Sequence, residues 1–137
     1  MTRKPVTDSP WMQRVIGAGQ PYIGRTRQDI KDAFFDFDKS NIRPDASQVL
    51  TANADFLKTK PDIKFTIEGH CDERGSEEYN LGLGDRRATA AKGFLGNLGV
   101  SADRVTTISY GKDRPVCTEE TEQCWQRNRR AHMTAAP

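Results

Sequence analysis

No stretch of this 137-residue chain approaches the roughly 18 apolar residues in a row that a membrane-spanning helix needs. Arg3 and Lys4 stand near the N-terminus, yet no apolar run follows them, so no secretory signal peptide is legible. Two origins satisfy that: a cytosolic protein, or a chain that begins after a signal segment has been removed. The second is the expectation. Charge of one sign is also scarce. The formal net charge is +2, which argues against a nucleic-acid binder. Only three cysteines are present, Cys71, Cys117 and Cys124. Even with His132 counted, they lack the C-x2-4-C spacing that zinc sites favour, so neither a metal nor another cofactor is expected. The chain offers no zinc triad, no Ser-His-Asp order and no paired catalytic carboxylates in a supporting motif, which leaves an enzyme reading weak. There is no repeat at a fixed period and no low-complexity segment.

What is there suits one modest core. Hydrophobic residues make up 35% and charged residues 29%. Residues 1–27 read as a tether, because Pro5, Pro10, Gly17, Gly19, Pro21 and Gly24 break any long pattern. Trp11, Val15 and Ile16 give that tether something to dock with. Residues 28–137 read as a domain. Ala33, Phe35 and Phe37 alternate as in a strand that ends in F-D-F-D-K-S-N-I, residues 35–42. Pro44 suits the first turn of a helix. Val49, Leu50, Asn53, Phe56 and Leu57 share its stripe, and Pro61 stops it. Ile63, Phe65 and Ile67 mark a second strand, followed by a polar loop from Gly69 to Gly75. Ser76 is placed to cap a long helix with Glu77 and Glu78 in its first turn, ending at Leu98 before Gly99. A strand near Val105–Tyr110, a helical turn near Glu122–Arg127 and a strand over Arg129–Thr134 complete the order. The sequence therefore predicts an α/β (α+β) domain, β-α-β-α-β-(short α)-β, with one mixed sheet and helices packed on it.

One residue breaks the pattern of the long helix. Leu83, Ala90, Phe94 and Leu98 mark its inward stripe, and Arg87 lies on that stripe while Arg86 points away. A core-facing guanidinium must be paired or must face a cleft. Asp72, in the preceding loop, is the natural partner. A structural Asp72–Arg87 ion pair and a ligand-gripping pair both satisfy this, and the two are compatible. His70 and Cys71 are neighbours, but adjacent residues at a strand end point to opposite sides, so a thiol–imidazole pair is not expected. Cys71 reads as a buried or half-buried free thiol, and His70 as a structural hydrogen bonder. Cys117 and Cys124 are seven positions apart, close enough to bridge within a turn, with two free thiols as the alternative. A bridge would imply an oxidising compartment. R-N-R-R-A-H near the end is too short for a nucleic-acid patch, and Glu119, Glu120 and Glu122 precede it.

Residues 67–88, I-E-G-H-C-D-E-R-G-S-E-E-Y-N-L-G-L-G-D-R-R-A, closely resemble the core motif of the outer-membrane protein A–like family. D-E-R-G, E-Y-N and G-x-R-R-A resemble its peptidoglycan-associated lipoprotein branch. F-D-F-D-K-S, S-Y-G-K-D-R-P at 109–115 and N-R-R-A at 128–131 match in the same order, so the resemblance covers about residues 29–134. It implies a non-enzymatic module that binds the peptide stem of peptidoglycan through meso-diaminopimelate, whose free end carries an ammonium and a carboxylate. It implies Asp72 for the ammonium and Arg87 for the carboxylate, the latter by a bidentate fork. Asn80 matches a residue that hydrogen-bonds the stem, Leu83 an apolar wall, and Phe37 and Asp38 the rim. Arg129 is expected to help with the carboxylate, with Arg130 in its place if the last strand has the other phase. The resemblance further implies a periplasmic, outer-membrane-associated protein whose lipid-bearing cysteine lies N-terminal to this chain. It also implies a second partner, the periplasmic propeller protein of the Tol system, on a surface overlapping the cleft. A module acting mainly through that protein contact is the alternative.

Overall fold

A computed structural model describes residues 30–135 of the chain. The elements are β1 (Ala33–Phe34), α1 (Pro44–Lys58), β2 (Phe65–His70), α2 (Glu77–Asn97), a 3-10 turn (Ala102–Arg104), β3 (Val105–Gly111), α3 (Glu122–Asn128) and β4 (Arg130–Ala135). The strands form one mixed sheet in the order β1-β4-β2-β3. β4 runs antiparallel to both β1 and β2, while β2 and β3 are parallel. The parallel pair is joined by α2, the crossover that parallel strands require. Fold class and element order are those the sequence predicts.

Alternation decides which side chains enter the core. Phe65 and Ile67 on β2, and Ala131 and Met133 on β4, join Leu50 and Leu57 of α1 and Ala88, Ala91 and Leu95 of α2 in one buried cluster. Small residues set how closely α2 lies on the sheet. A Cβ placed on Gly69 would come within 1.7 Å of the Gly84 carbonyl oxygen, so β2 and α2 touch backbone to backbone there. That contact brings the first turns of α2 to the C-terminal end of β2, where the cleft forms.

The helix ends follow the sequence. Pro44 opens α1. The Ser76 hydroxyl accepts from the Tyr79 amide, with Glu77 and Glu78 in the first turn of α2. Gly99, at φ +99°, turns the chain away, and Val100 N–H returns to the Leu95 carbonyl.

Several expectations are corrected. The first strand is two residues long, and Phe37 lies beyond it. The chain turns at Asp36–Lys39, where Lys39 N–H reaches the Asp36 carbonyl and Asp38 takes φ +59°. The buried stripe of α1 is Ala46, Leu50, Asn53, Ala54 and Leu57, with Val49 and Phe56 at its edge. On α2 the buried stripe runs through Leu83, Gly84, Arg87, Ala88, Ala91 and Leu95, leaving Ala90, Phe94 and Leu98 half-buried. Close packing favours the small side chains over the large ones there, so the helix is rotated from the phase its bulkiest residues suggest. β2 continues to His70, into the segment expected as loop. The expected tether, residues 1–27, lies outside the described residues. Among the described residues, no helix is long and apolar enough to cross a membrane.

Candidate functional site

The end of β2, the turn after β1 and the start of α2 enclose a cleft of about 320 Å³. The turn contributes Phe37 and Asp38. The segment after β2 contributes Cys71, Asp72, Arg74 and Gly75, and α2 contributes Tyr79, Asn80, Leu83 and Arg87. Of the seven ligand-binding candidates, Phe37, Asp38, Asp72, Asn80, Leu83 and Arg87 line this one cleft. Arg129 lies immediately behind it.

Arg87 is 0% exposed. It does not pair with Asp72, contrary to the simplest expectation. Its Nε donates to the Lys39 carbonyl (2.9 Å), one terminal nitrogen to His70 (3.0 Å) and the other to Asp36 (3.0 Å). The guanidinium thus staples the β1 exit turn to the end of β2. A guanidinium carries five N–H donors, so two are not spent on these carbonyls, and the Cys71 sulfur lies beside the group. Burial lowers its pKa and the Asp72 charge opposes that, so it stays a cation at neutral pH.

Asp72 finds two other arginines. Its Oδ1 accepts from the Arg74 backbone N–H (3.0 Å) and Nε (3.2 Å). Its Oδ2 accepts from Arg74 Nη2 (2.8 Å) and Arg129 Nη1 (3.3 Å). A carboxylate offers about four lone-pair sites, and all are taken. Burial alone pushes this carboxyl up, but the bonds and charge of Arg74, with the Arg129 bond, more than offset it. The group ionises below the usual carboxylate range.

The phase of the last strand is settled. Arg129 faces the cleft side, donating to Asp72, to the Phe35 carbonyl (2.8 Å) and to Glu122 (2.7 Å). Arg130 sits on the other face of the sheet beside Asp32. Asn80 donates from Nδ2 to the Arg74 carbonyl (2.8 Å), pinning the loop to α2. Gly75, at φ +95°, supplies the turn that this closure needs. Lys112 Nζ holds the same loop through the Gly75 carbonyl (2.7 Å). At the rim, the Tyr79 hydroxyl donates to Asp38 Oδ1.

Arg74, Tyr79 and Cys71 were missed as site residues. Arg74 stands in the D-E-R-G motif, but spacing alone does not reveal that it folds back onto Asp72. Its guanidinium lies 4.0 Å from the ring centroids of both Phe37 and Trp125. Cys71 is a buried free thiol on the cleft floor whose Sγ–H donates to the Asn80 carbonyl (3.3 Å). Burial pushes it up to about 11, against the nearby Arg87 charge, so it is a thiol at neutral pH. His70 turns away to Glu68 (2.9 Å), and burial lowers its pKa despite that contact. Cys117 and Cys124 are bridged, with Cα atoms 5.3 Å apart. Among the described residues, no group of three or more His, Cys, Asp or Glu side chains gathers as metal ligands.

The family model described as the OmpA family matches residues 34–129, which include every lining residue of the cleft. The chain belongs to the OmpA family. Within that family it resembles peptidoglycan-associated lipoproteins. It is 53% identical over 120 residues to the one from Brucella melitensis, covering 85% of this chain and 71% of the relative. The Agrobacterium fabrum protein of that name is 52% identical over 98 residues, covering 72% of this chain and 55% of the relative. The crystal structure of the peptidoglycan-associated lipoprotein from Burkholderia pseudomallei superposes with a TM-score of 0.73 at 37% identity, covering 77% of this chain and 90% of that one. The resemblance read from residues 67–88 and the flanking motifs is thereby borne out, as is the OmpA-like architecture.

Proposed function

We propose that this chain binds the peptide stem of peptidoglycan without cleaving it, taking the diaminopimelate end in the cleft and tying the outer membrane to the cell wall. The observation that carries the reading is the cleft's paired chemistry. Arg87 brings its guanidinium charge to the floor, and Asp38 offers at the rim a carboxylate that Tyr79 holds by one oxygen. These suit a ligand end with one carboxylate and one ammonium. Asp72 draws the ammonium by its charge from below, while its own oxygens hold Arg74 and Arg129 in place. Arg129 thus serves the site from behind. Asn80 and Leu83 supply a polar and an apolar wall, and Phe37 covers the edge. The relatives' name supports the cell-wall ligand. Their being lipoproteins supports anchoring through a lipid attached N-terminal to the described residues, facing the periplasm.

The same groups are poorly suited to catalysis. Asp72 ionises too readily to act as a base at neutral pH. Cys71 holds its proton, and His70 is engaged with Glu68 on the far side. Gripping both ground-state charges gives affinity without transition-state stabilisation.

A second reading has its own observation. Phe37 is 53% exposed and Tyr79 46%, an aromatic rim suited to a protein surface. It fits the periplasmic propeller protein of the Tol system, competing with the wall for one face.

The deciding experiment is sedimentation with purified cell wall. The protein is expected to pellet with the wall, to be displaced by free diaminopimelate-bearing peptide, and to release no soluble fragments. Asp38→Asn keeps the side-chain size at an exposed site, so the fold survives. Losing a charge-assisted contact there is expected to weaken binding roughly tenfold or more. Pelleting that free peptide does not compete, or binding unchanged by Asp38→Asn and Asp72→Asn together, would refute the cleft reading. Time-dependent release of muropeptides would favour an enzyme instead.

A further inference from the structure

We infer that Trp125, which lies outside the cleft, is a positioning residue for its buried acid and acts through Arg74. Arg74 sits in a loop, on a long side chain with much rotamer freedom to lose. Two rings remove that freedom. The guanidinium is held between Phe37 and Trp125, 4.0 Å from each centroid. In that plane its Nε and Nη2 meet the two oxygens of Asp72 as a fork. The indole Nε1–H also donates to Glu73 Oε2 (3.2 Å), which fastens the loop one residue before Arg74.

Trp125 can impose a geometry only if α3 is itself fixed, and it is. The Cys117–Cys124 bridge closes the loop onto the helix. The Asn128 amide accepts from Val116 and Cys117 N–H and donates to the Cys117 carbonyl. Gln126 reaches the Phe35 carbonyl (3.3 Å) and accepts from Arg43 (2.6 Å). The start of the same helix serves the other arginine on Asp72, since Glu122 holds Arg129 at 2.7 Å. A seven-residue helix that lines none of the cleft therefore sets both cations that fix the cleft's acid.

The consequence is electrostatic. Asp72 feels Arg74 from its own loop, Arg129 from the end of α3, Glu122 from the start of α3, Arg87 from α2 across the cleft, and its neighbour Cys71. Burial opposes its charge, and the fork with Arg74 is the largest contribution that favours it. Without Trp125, Arg74 is free to swing into water, and burial then weighs more heavily on Asp72.

The test uses Trp125→Ala and Trp125→Phe, with the Asp72 carboxyl titrated by NMR in the protein alone. Melting temperature and affinity for a diaminopimelate-containing stem peptide are measured beside it. The wild-type group should titrate below the usual carboxylate range. In Trp125→Ala it should titrate at higher pH, and peptide affinity should fall roughly three- to tenfold. Binding should also fail at a higher pH than in wild type, because Asp72 takes up its proton earlier. Trp125→Phe keeps a ring against the guanidinium and should restore both. Arg74→Lys keeps the charge but not the fork, and should raise the Asp72 titration even if Trp125→Ala fails to fold. A lower melting temperature with an unmoved Asp72 titration would reduce Trp125 to a packing residue and overturn the inference. So would an unmoved titration in Arg74→Lys. The affinity arm rests on the proposed cell-wall reading, whereas the titration arm does not. Wild-type protein that ignores the peptide would therefore sink that reading and leave the titration to decide this one.

Discussion

The two ends of β2 are fastened by the same device. At its start, Arg104 donates from Nε to the Ile63 carbonyl (3.0 Å) and from Nη2 to those of Leu57 (3.0 Å) and Lys60 (2.7 Å). At its finish, Arg87 donates to the carbonyls of Lys39, His70 and Asp36. Each guanidinium also lies near a phenylalanine ring, Phe65 for Arg104 and Phe35 for Arg87. One arginine closes the end of α1 against the strand, and the other closes the turn after β1. A triple carbonyl staple is therefore a way of ending helices and turns, and does not itself mark a binding site. Arg87 differs in its neighbours. It is fully buried and lines a cleft that Asp38, Asp72 and Arg74 also line. Arg104 is half-buried and lines no such cleft.

The largest expected effect breaks the staple at the cleft. Arg87→Ala takes a donor from three carbonyls, of which that of Asp36 keeps the Lys39 N–H, and leaves a void in the core. Such a change is expected to destabilise the fold by about 3–5 kcal/mol, readable in urea denaturation. Loss of cell-wall binding in that variant would then report unfolding as much as lost ligand contact. A destabilisation of only about 0.5 kcal/mol would mean that Arg87 is free to serve the ligand alone, and would break the parallel between the two ends.

Arg104→Ala should do less. Its carbonyl partners lie nearer water and can be rehydrated, so the expected loss is about 1–2 kcal/mol. Cell-wall sedimentation at a temperature where the variant remains folded should match wild type. Weakened sedimentation there would mean that strain at one end of β2 reaches the other, and that the two staples are coupled.

Much of this was legible in the sequence because it rests on period and chemistry. The order of elements, the Ser76 and Gly99 helix ends, the Cys117–Cys124 bridge and the inward Arg87 all follow from local rules. The departures from the sequence pattern have a common cause. The phase of α2 was set by its bulkiest residues, but contact with the sheet is set by Gly84 meeting Gly69, which is invisible without the partner strand. Asp72 and Arg87 match as opposite charges, yet Asp72 pairs with Arg74, two residues away, and with Arg129, at the far end of the domain. Charge complementarity says that a buried acid needs a cation. It does not say which, when the chain carries 21 lysines and arginines. Asp38 at positive φ and Trp125 behind Arg74 depend on tertiary contacts alone.

The smallest expected effect lies between the two staples, on the outward face of the sheet. His132 on β4 is the register partner of Glu68 on β2, and its Nδ1 meets Asp32 at 2.7 Å. The Asp32 hydrogen bond raises its pKa above the ordinary histidine value of 6.5, against the opposing pull of burial. His70, two residues along β2 from Glu68, goes the other way, because burial outweighs its Glu68 contact. A histidine whose folded pKa is raised binds its proton more tightly when folded. Its contribution is thus fully present below the unfolded value near 6.5. It is lost as pH rises through the folded value. The side chain is 40% exposed, so solvent screens the pair and the effect should be a few tenths of a kcal/mol. His132→Gln compared with wild type in urea, stepped from pH 5.5 to 8.5, should show a small deficit that fades as pH rises. A deficit that instead grows with pH would mean that His132 is held neutral like His70. The Asp32 contact would then be an ordinary neutral hydrogen bond, and the two histidines would share one behaviour rather than opposing each other across the strand pair.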